Sequence, residues 1–414
     1  MKKYGLLGRK LSHSFSPTIH RLLKGYEYEL FEREREELED FFKNGDFDGI
    51  NVTIPYKIDA MKYCGRIDEG AVKIGCINTV KREKDGSFSG YNTDLYGFLY
   101  LLERSGINPE GKNCLILGSG ASSQTVAAAF EMRGAKDIKK VSRTGEINYE
   151  NVYDLSDTEI IVNTTPVGMY PDNGQIKIDI ERFKRLEGCV DLIYNPLKTA
   201  FLLKAGELGI KTECGLPMLV AQAKKAAEIF TGESIDDSET ERVLKTIEGK
   251  VSNIILVGMP GCGKTTVGRL AAKKLGKDFY DLDEVIEAVA GKTCGEIIEQ
   301  EGEAAFRELE KDAAAEAGKK SGAVIATGGG TVTVAENFDS LKQNGTIIWL
   351  QRELDKLTVK GRPLSNKKGG VEALYDRRKE LYEKFADLKV QNSGTIEQAA
   401  EEIVRRTEDA NTCN

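Results

Sequence analysis

Histidine is nearly missing from this chain. Only His13 and His20 occur among 414 residues, both near the N-terminus. Catalysis elsewhere must therefore draw on Lys, Asp, Glu, Arg or a metal. The eight cysteines are scattered, none in C-x-x-C spacing, so a Cys/His zinc site is not expected. No apolar run reaches membrane-spanning length, and no signal peptide is recognisable. Free thiols then point to a reducing, cytoplasmic interior. An excess of positive charge is lacking too. The net charge is -7, which argues against a non-specific grip on nucleic acid. What remains is an ordinary balance of 40% hydrophobic and 30% charged residues, with apolar mass for several cores. A chain of 414 residues suggests two to three domains.

The most specific stretch is GMPGCGKTT, Gly258–Thr266. It follows an apolar run of strand character, Asn253–Val257. It precedes VGRLAAKKLG, whose Val267, Leu270, Ala271 and Leu275 recur at helical spacing. Gly258, Gly263, Lys264 and Thr265 thus form G-x-x-x-x-G-K-[ST] at a strand-to-helix turn. Residues without a Cβ let successive N–H groups curl around phosphate oxygens, and a helix N-terminus adds positive potential. Gly261, Cys262, Gly263, Lys264, Thr265 and Thr266 are the candidate ATP contacts. Lys264 can reach the terminal phosphates, and the Thr265 hydroxyl can hold Mg²⁺. More than half the chain precedes this motif, and a P-loop fold usually begins with that strand. The motif therefore divides the chain.

Ahead of it, Tyr4–Gly8 reads as a buried strand, LSHSFSP as a loop and TIHRLLKGY as a helix. Ser12, Ser14 and Ser16 are hydroxyls at the helix entrance. Ser16 before Pro17 fits an N-cap, which explains one serine but not three. In Gly49–Lys57, the strand INVTI stops at Pro55 and leaves Lys57 just past its end. Site residues are common there, although a lone lysine is more often a solvated surface charge. CINTV places Asn78 inside an apolar strand, and a buried Asn needs partners. KREKDGSFSG reads as a hairpin around Asp85-Gly86. GYNTD ends in Asp94 at a helix start, where an N-cap is the plain alternative.

In order, LSHSFSP, NVTIPYK, INTV and GYNTD resemble the substrate domain of shikimate dehydrogenase. The resemblance implies that Ser14 and Ser16 bind a carboxylate. It implies that Thr53, Asn78 and Asp94 hold ring hydroxyls, and that Lys57 and Asp94 are the catalytic pair. Ketone reduction puts negative charge on oxygen, so a cationic proton donor lowers the barrier.

KNCLILGSGASSQTVAAAFEMRGAKDIKKVSRTG reads as a βαβ unit. Gly118, Ser119, Gly120, Ala121, Ser122 and Ser123 fit G-x-G-x-x-[small] between strand and helix. At the end of the second strand an acid would bind a ribose 2′-OH. This chain has Ser142, Arg143 and Thr144 instead. Guanidinium and hydroxyls suit a 2′-phosphate, which predicts NADP rather than NAD. A surface ion pair is the plain alternative for Arg143. The resemblance places Thr164, Thr165 and Met169 on the nicotinamide side, and Tyr194 between cofactor and substrate. It brings Gly215 to the nicotinamide and Gln222 to the substrate ring. Met218 and Leu219 read as helix core. Ser142 stands where the family usually has asparagine. The helix in SIDDSETERVLKTIEGK is expected to pack back on the first domain.

In the last part, KDFYDLDEVIE ends a strand with Asp281 and Asp283, two residues apart and so on one strand face. An N-cap is the plain reading of Asp283. GEAAFRELE carries Phe306-Arg307 into a helix. AVIATGGGTV ends a strand in Gly328, Gly329 and Gly330, leaving N–H groups open to a ligand. TIIWL is another buried strand, GRPLSNKKGG holds Arg362, and DRRKELY puts Arg377 and Arg378 on a helix. GMPGCGKTT, DLD, EAAFRELE, ATGGGTV, GRPL and RRKELY together resemble shikimate kinase over residues 252–390. The resemblance implies that Asp281 and Thr265 hold Mg²⁺. It implies that Asp283, Arg307, Gly328, Gly329, Gly330 and Arg378 bind shikimate, with both guanidinium forks on its carboxylate. Asp283 would accept the attacking hydroxyl's proton. Arg362 would lie in a lid, Thr358–Gly370, that closes over ATP. That lid is short for the family, with Lys360 where an arginine is usual.

The expected fold class is α/β. Residues 1–102, completed by 216–248, would form a substrate domain, and 103–215 a Rossmann-type NADP domain. Residues 249–252 would link them to a P-loop kinase, 253–414, with a nucleoside-monophosphate-kinase-like parallel sheet. The function implied is bifunctional: NADPH-dependent reduction of 3-dehydroshikimate, then ATP- and Mg²⁺-dependent phosphorylation of the shikimate formed. The hydroxyl created in the first step is the one phosphorylated in the second. The expected partners are these small molecules alone, with no nucleic acid and no membrane, in a monomer or homodimer. Two other readings stand beside it. A ligand sensor without turnover would be expected to have lost Lys57, Asp94, Lys264 or Asp281, all of which are present. A quinate-preferring first half would be expected to carry a small residue in place of Ser14 or Ser16.

Overall fold

The computed structural model describes residues 2–11, 14–357 and 370–410. Its sixteen described strands are β1 (Tyr4–Gly8), β2 (Tyr28–Glu32), β3 (Gly49–Val52), β4 (Arg66–Ile67), β5 (Thr79–Arg82), β6 (Phe88–Tyr91), β7 (Asn113–Leu117), β8 (Asp137–Val141), β9 (Ile160–Asn163), β10 (Gly188–Asp191), β11 (Lys211–Cys214), β12 (Asn253–Val257), β13 (Asp278–Asp281), β14 (Ala323–Ala326), β15 (Gly345–Gln351) and β16 (Leu388–Gln391). They form three sheets, and the chain divides into two compact units. One unit comprises Met1–Met169, Gln175–Tyr194 and Phe201–Leu244. The other comprises Tyr170–Gly174, Asn195–Ala200 and Lys245–Asn414.

The first unit holds two sheets. One is mixed, in the order β2-β1-β3-β5-β6-β4, with β3, β5 and β6 antiparallel. The other is parallel throughout, β11-β10-β9-β7-β8. Strands β9 and β10 are fully buried, as a parallel sheet covered on both faces demands of apolar runs. The order reverses between β7 and β9, and ligands of doubly wound sheets bind at such a switch point. The GSGAS turn leaves the carboxyl end of β7 there. The helix Asp237–Val251 packs back on this unit through its first half, where Arg242 Nη2 donates to the Leu22 carbonyl at 2.8 Å.

The second unit holds a parallel sheet, β13-β14-β12-β15-β16. Its central strand β12 is buried along its whole length and feeds the phosphate loop. Gly258, Gly261 and Gly263 all take positive φ (149°, 83° and 101°), which side chains rarely tolerate. The helix Lys264–Leu275 starts directly after them.

Several local readings are corrected. The first helix is Ser16–Lys24 and its N-cap is Phe15, not Ser16; the Ser16 N–H instead bonds Ser14 Oγ at 3.2 Å. Asn92, not Asp94, caps the helix Thr93–Ser105. Asp281 ends β13, whereas Asp283 lies in the first turn of the helix Leu282–Ala290, so the two do not share a strand. Asp281 also takes the N-cap role by accepting from the Asp283 N–H. Asn78 precedes β5 instead of lying within it. Of the expected linker, 249–251 are the end of a helix, and Ser252 alone separates it from β12. Among the described residues, no helix is long and apolar enough to cross a membrane.

Candidate active sites

In the first unit, a cleft of about 290 Å³ opens at the carboxyl ends of β1 and β3. Ser14, Ser16, Thr53, Lys57, Asn78, Asp94, Tyr194 and Gln222 all line it. Lys57 is reached by a turn through Pro55, and Asp94 rides the first turn of the helix Thr93–Ser105. The Lys57 ammonium meets Asp94 Oδ2 at 2.6 Å, with side-chain exposures of only 14% and 11%. A charge pair this enclosed holds its geometry because losing either partner strands the other.

Behind the pair, the cleft wall is a buried amide and hydroxyl network. Asn78 Oδ1 accepts from the Thr93 N–H at 2.7 Å, and its Nδ2 donates to Gln222 Oε1 at 3.4 Å. Asn51, unnoticed in the sequence, also lines the cleft and donates to Thr79 Oγ1 at 2.9 Å. Tyr28 OH donates to Asn51 Oδ1 at 2.7 Å, and Tyr28 stacks on His20 at 4.1 Å. Met218 and Leu219 are not only helix core, since both line the cleft. Gly215 ends the loop ahead of the helix Leu216–Thr231; a Cβ there would collide with the Leu192 carbonyl. Tyr194 packs its ring 5.9 Å from Phe15, and burial pushes its hydroxyl pKa up.

The crevice beside this cleft fits a dinucleotide. Gly118 has φ +118°, and a Cβ there would lie 2.5 Å from Thr164 Oγ1. Only glycine permits that approach of β7 to β9. Gly120 precedes the helix Ala121–Met132 with no side chain capping it, so backbone N–H groups remain for a phosphate. Ser119 and Gly120 are exposed, and Ser122 reaches the substrate cleft. Ser123 takes the third-glycine position with its hydroxyl turned inward to the Gly120 carbonyl at 2.6 Å. Arg143 and Thr144 are exposed at the end of β8, with Ser142 half-buried beside them. Thr165 bonds Asn163 Oδ1 at 2.7 Å, and Met169 is 44% exposed.

In the second unit, a cleft of about 310 Å³ is lined by Gly261, Gly263, Lys264, Thr265, Thr266, Asp281, Asp283 and Gly329, among others. Lys264 Nζ donates to the carbonyls of Gly258 at 2.8 Å and Met259 at 3.2 Å. Thr265 Oγ1 donates to Asp281 Oδ2 at 2.6 Å. One hydroxyl and one carboxylate fit Mg²⁺, which keeps waters and takes its other oxygens from phosphates. Among the described residues, no cluster of three or more His, Cys, Asp or Glu forms an all-protein metal cage. Asp283 is open to the cleft mouth. Partial desolvation, then the neighbouring Asp281 charge, still push its carboxyl up to about 6. Cys262 is fully buried, so only its backbone is available to a ligand.

The three glycines of ATGGGTV are packed too closely for any side chain. A Cβ at Gly328 would meet Glu310 Oε1 at 2.5 Å, and one at Gly329 would meet Pro260 at 2.5 Å. A Cβ at Gly330 would collide with the Arg307 guanidinium. Arg307 is held by Glu310 at 2.6 Å and Glu303 at 3.0 Å. Burial works against its charge, but the two carboxylates outweigh it and hold the pKa above the ordinary value. Arg378 is 6% exposed and donates to the Gly329 carbonyl at 2.9 Å; burial lowers its pKa. Arg307, Arg378, Gly328 and Gly330 stand outside the lining of the phosphate-loop cleft. Arg362 and Lys360 lie outside the described residues.

Besides Asn51, two site features of the second unit escaped the sequence. Glu310 is fully buried and clasps both Arg307 and Thr331. Arg352 lines the phosphate-loop cleft. Its only signal was position, since it directly follows β15 at a parallel sheet's carboxyl edge.

Comparison with known proteins follows this division. A family model described as shikimate kinase matches residues 260–408, and one described as shikimate dehydrogenase substrate binding domain matches residues 6–80. A protein named shikimate dehydrogenase (NADP(+)) from Clostridium perfringens is 36% identical over 269 residues, covering 60% of this chain and 99% of its own length. The crystal structure of a chorismate mutase/shikimate 5-dehydrogenase fusion protein from Clostridium acetobutylicum superposes with a TM-score of 0.56 at 39% identity, covering 60% of this chain and 97% of its own. Shikimate 5-dehydrogenase from Thermus thermophilus, solved with NADP(H) and shikimate, gives 0.53 at 30% identity, covering 59% of this chain and 99% of its own.

Proposed function

This chain belongs to the shikimate dehydrogenase family and carries a shikimate kinase domain over residues 260–408, so it is a bifunctional enzyme of the shikimate pathway, and we propose that its two clefts act in turn on one ring acid. In the first cleft NADPH supplies hydride to 3-dehydroshikimate. Ser14 and Ser16 bind the carboxylate, and Thr53, Asn78 and Gln222 hold the ring hydroxyls. Tyr194 lies between substrate and cofactor. Lys57 Nζ gives its proton to the oxygen that gains charge, and Asp94 keeps the ammonium aimed. Arg143, with Ser142 and Thr144, takes the 2′-phosphate. The observation that carries this reading is the enclosed 2.6 Å Lys57–Asp94 pair, set among hydroxyls and amides in one cleft.

In the second cleft ATP, held with Mg²⁺ at Thr265 and Asp281, supplies the phosphoryl group. Arg307 and Arg378 answer the shikimate carboxylate with planar forks. Asp283 takes the proton of the attacking hydroxyl at its carboxylate, and a carboxyl pushed up to about 6 suits a base better than an ordinary one. Lys264 leaves its loop carbonyls for the terminal phosphates. The seven described cysteines are all free thiols, which suits a reducing, cytoplasmic setting. A crystal soaked with shikimate tests the reading. It should show the acid beside Lys57 and again beside Arg307; density at neither place would overturn it.

A further inference from the structure

The phosphate-loop cleft contains a second cation besides Lys264. Arg352 follows the last residue of β15 and lines the cleft with Gly261, Thr265 and Asp281. Its place is fixed from both sides. β15 pairs with β12 up to Val257 opposite Trp349, so the chain reaches Arg352 at the level of the loop. On the other side Asn392 N donates to the Gln351 carbonyl at 2.7 Å, and Asn392 Nδ2 donates to the Cys262 carbonyl at 2.7 Å. One asparagine thus ties the residue before Arg352 to the phosphate loop itself.

The Arg352 side chain is unusual in what it lacks. Its Nε is buried and has no hydrogen-bond partner. The adjacent acid, Glu353, pairs instead with Lys356 at 2.5 Å. Buried polar groups are nearly always satisfied, so an orphan on a cleft wall points to a partner that arrives with the ligand. A guanidinium offers a planar fork of N–H donors, which matches phosphate oxygens in shape and charge. Lys264 is a point charge and cannot supply that fork.

We propose that Arg352 binds the phosphate chain of the nucleotide from the carboxyl end of β15, as a direct contact additional to the phosphate loop and its lysine. The assignment rests on the kinase reading above. It identifies the ligand by its phosphates, not by its base.

The test uses the full chain and its single tryptophan, Trp349, three residues before Arg352 in β15. Tryptophan fluorescence or calorimetry follows binding of magnesium tripolyphosphate, MgATP, MgADP and shikimate to the wild type, Arg352→Gln and Arg352→Lys. Loss of one charge-assisted contact should weaken tripolyphosphate and MgATP about 10- to 100-fold in Arg352→Gln, with Arg352→Lys between. Shikimate affinity should not change. A larger loss for MgATP than MgADP would put the contact on the terminal phosphate; equal losses would put it further in. Unchanged tripolyphosphate affinity would overturn the proposal, since the arginine would then face the base or water. A parallel fall in shikimate affinity would overturn it too, by making Arg352 a structural residue. A wild type that transfers no phosphate yet loses tripolyphosphate binding on Arg352→Gln would keep the assignment and sink the kinase reading.

Discussion

Lys57 Nζ lies 2.6 Å from Asp94 Oδ2, although the two residues stand 37 positions apart in the chain. The contact joins a turn after β3 to the first turn of a helix. Lys57→Ala should lower reduction of 3-dehydroshikimate by about 10²- to 10⁴-fold, the usual worth of a positioned proton donor. Phosphorylation of shikimate should continue at the wild-type rate. NADPH oxidation and ADP release, assayed separately, check both halves. Equal loss of the two activities would mean that the sites are not independent.

Lys264→Ala should do the reverse. Removing a cation from developing phosphoryl charge costs on the order of 10²- to 10³-fold in turnover. Reduction with NADPH should be unaltered. Normal phosphoryl transfer in this variant would end the assignment of the phosphate loop.

Gly330→Ala probes the packing around Arg307. The backbone at Gly330 has φ -106°, which alanine accepts, so any effect comes from the added methyl. That methyl would push the guanidinium from its place between Glu303 and Glu310. The KM for shikimate in the kinase reaction should rise about tenfold, equivalent to about 1.4 kcal/mol, with KM for ATP nearly constant. Steady-state kinetics in both substrates separate the two. A rise confined to ATP would contradict Arg307 as a carboxylate contact.

His20 sets an acid limit on the first unit. Its ring is wholly buried, stacked on Tyr28 and bonded to Tyr26 OH at 2.7 Å, and burial holds its pKa down to about 3. The unfolded chain takes up a proton near pH 6.5, which the folded ring refuses until about 3. Stability should therefore fall as pH drops through that window. Urea midpoints of the first unit at pH 7 and pH 5 measure the fall. His20→Phe, which keeps an aromatic ring against Tyr28, should flatten it; an equally steep fall in the variant would show that other groups carry the acid sensitivity.

Much of both sites was legible because local backbone demands leave local marks. The phosphate loop needs positive φ at Gly258, Gly261 and Gly263, and glycine spacing records this directly. Ser14, Thr53, Lys57 and Asp94 each ride a short motif beside a strand end. Contacts made across the fold leave no such mark. Asn78 meets Gln222 across 144 residues, and Glu310 reaches Thr331 across 21. Nothing in the sequence around Asn51 or His20 reveals that Tyr28 connects them. Strand ends and caps shifted by a residue or two, as at Ser16, Asn78 and Asp283. There hydrogen-bond geometry, not residue type, decides the boundary. Arg352 stayed hidden because a lone arginine after an apolar strand is ordinarily a surface charge.

One measurement reaches the central claim directly. The intact chain is given 3-dehydroshikimate, NADPH and MgATP together, and NADPH oxidised, ADP formed and phosphorylated product are counted. The account predicts one shikimate 3-phosphate and one ADP for each NADPH consumed. Shikimate that accumulates without phosphate, or ATP consumed with no NADPH oxidation, would contradict it.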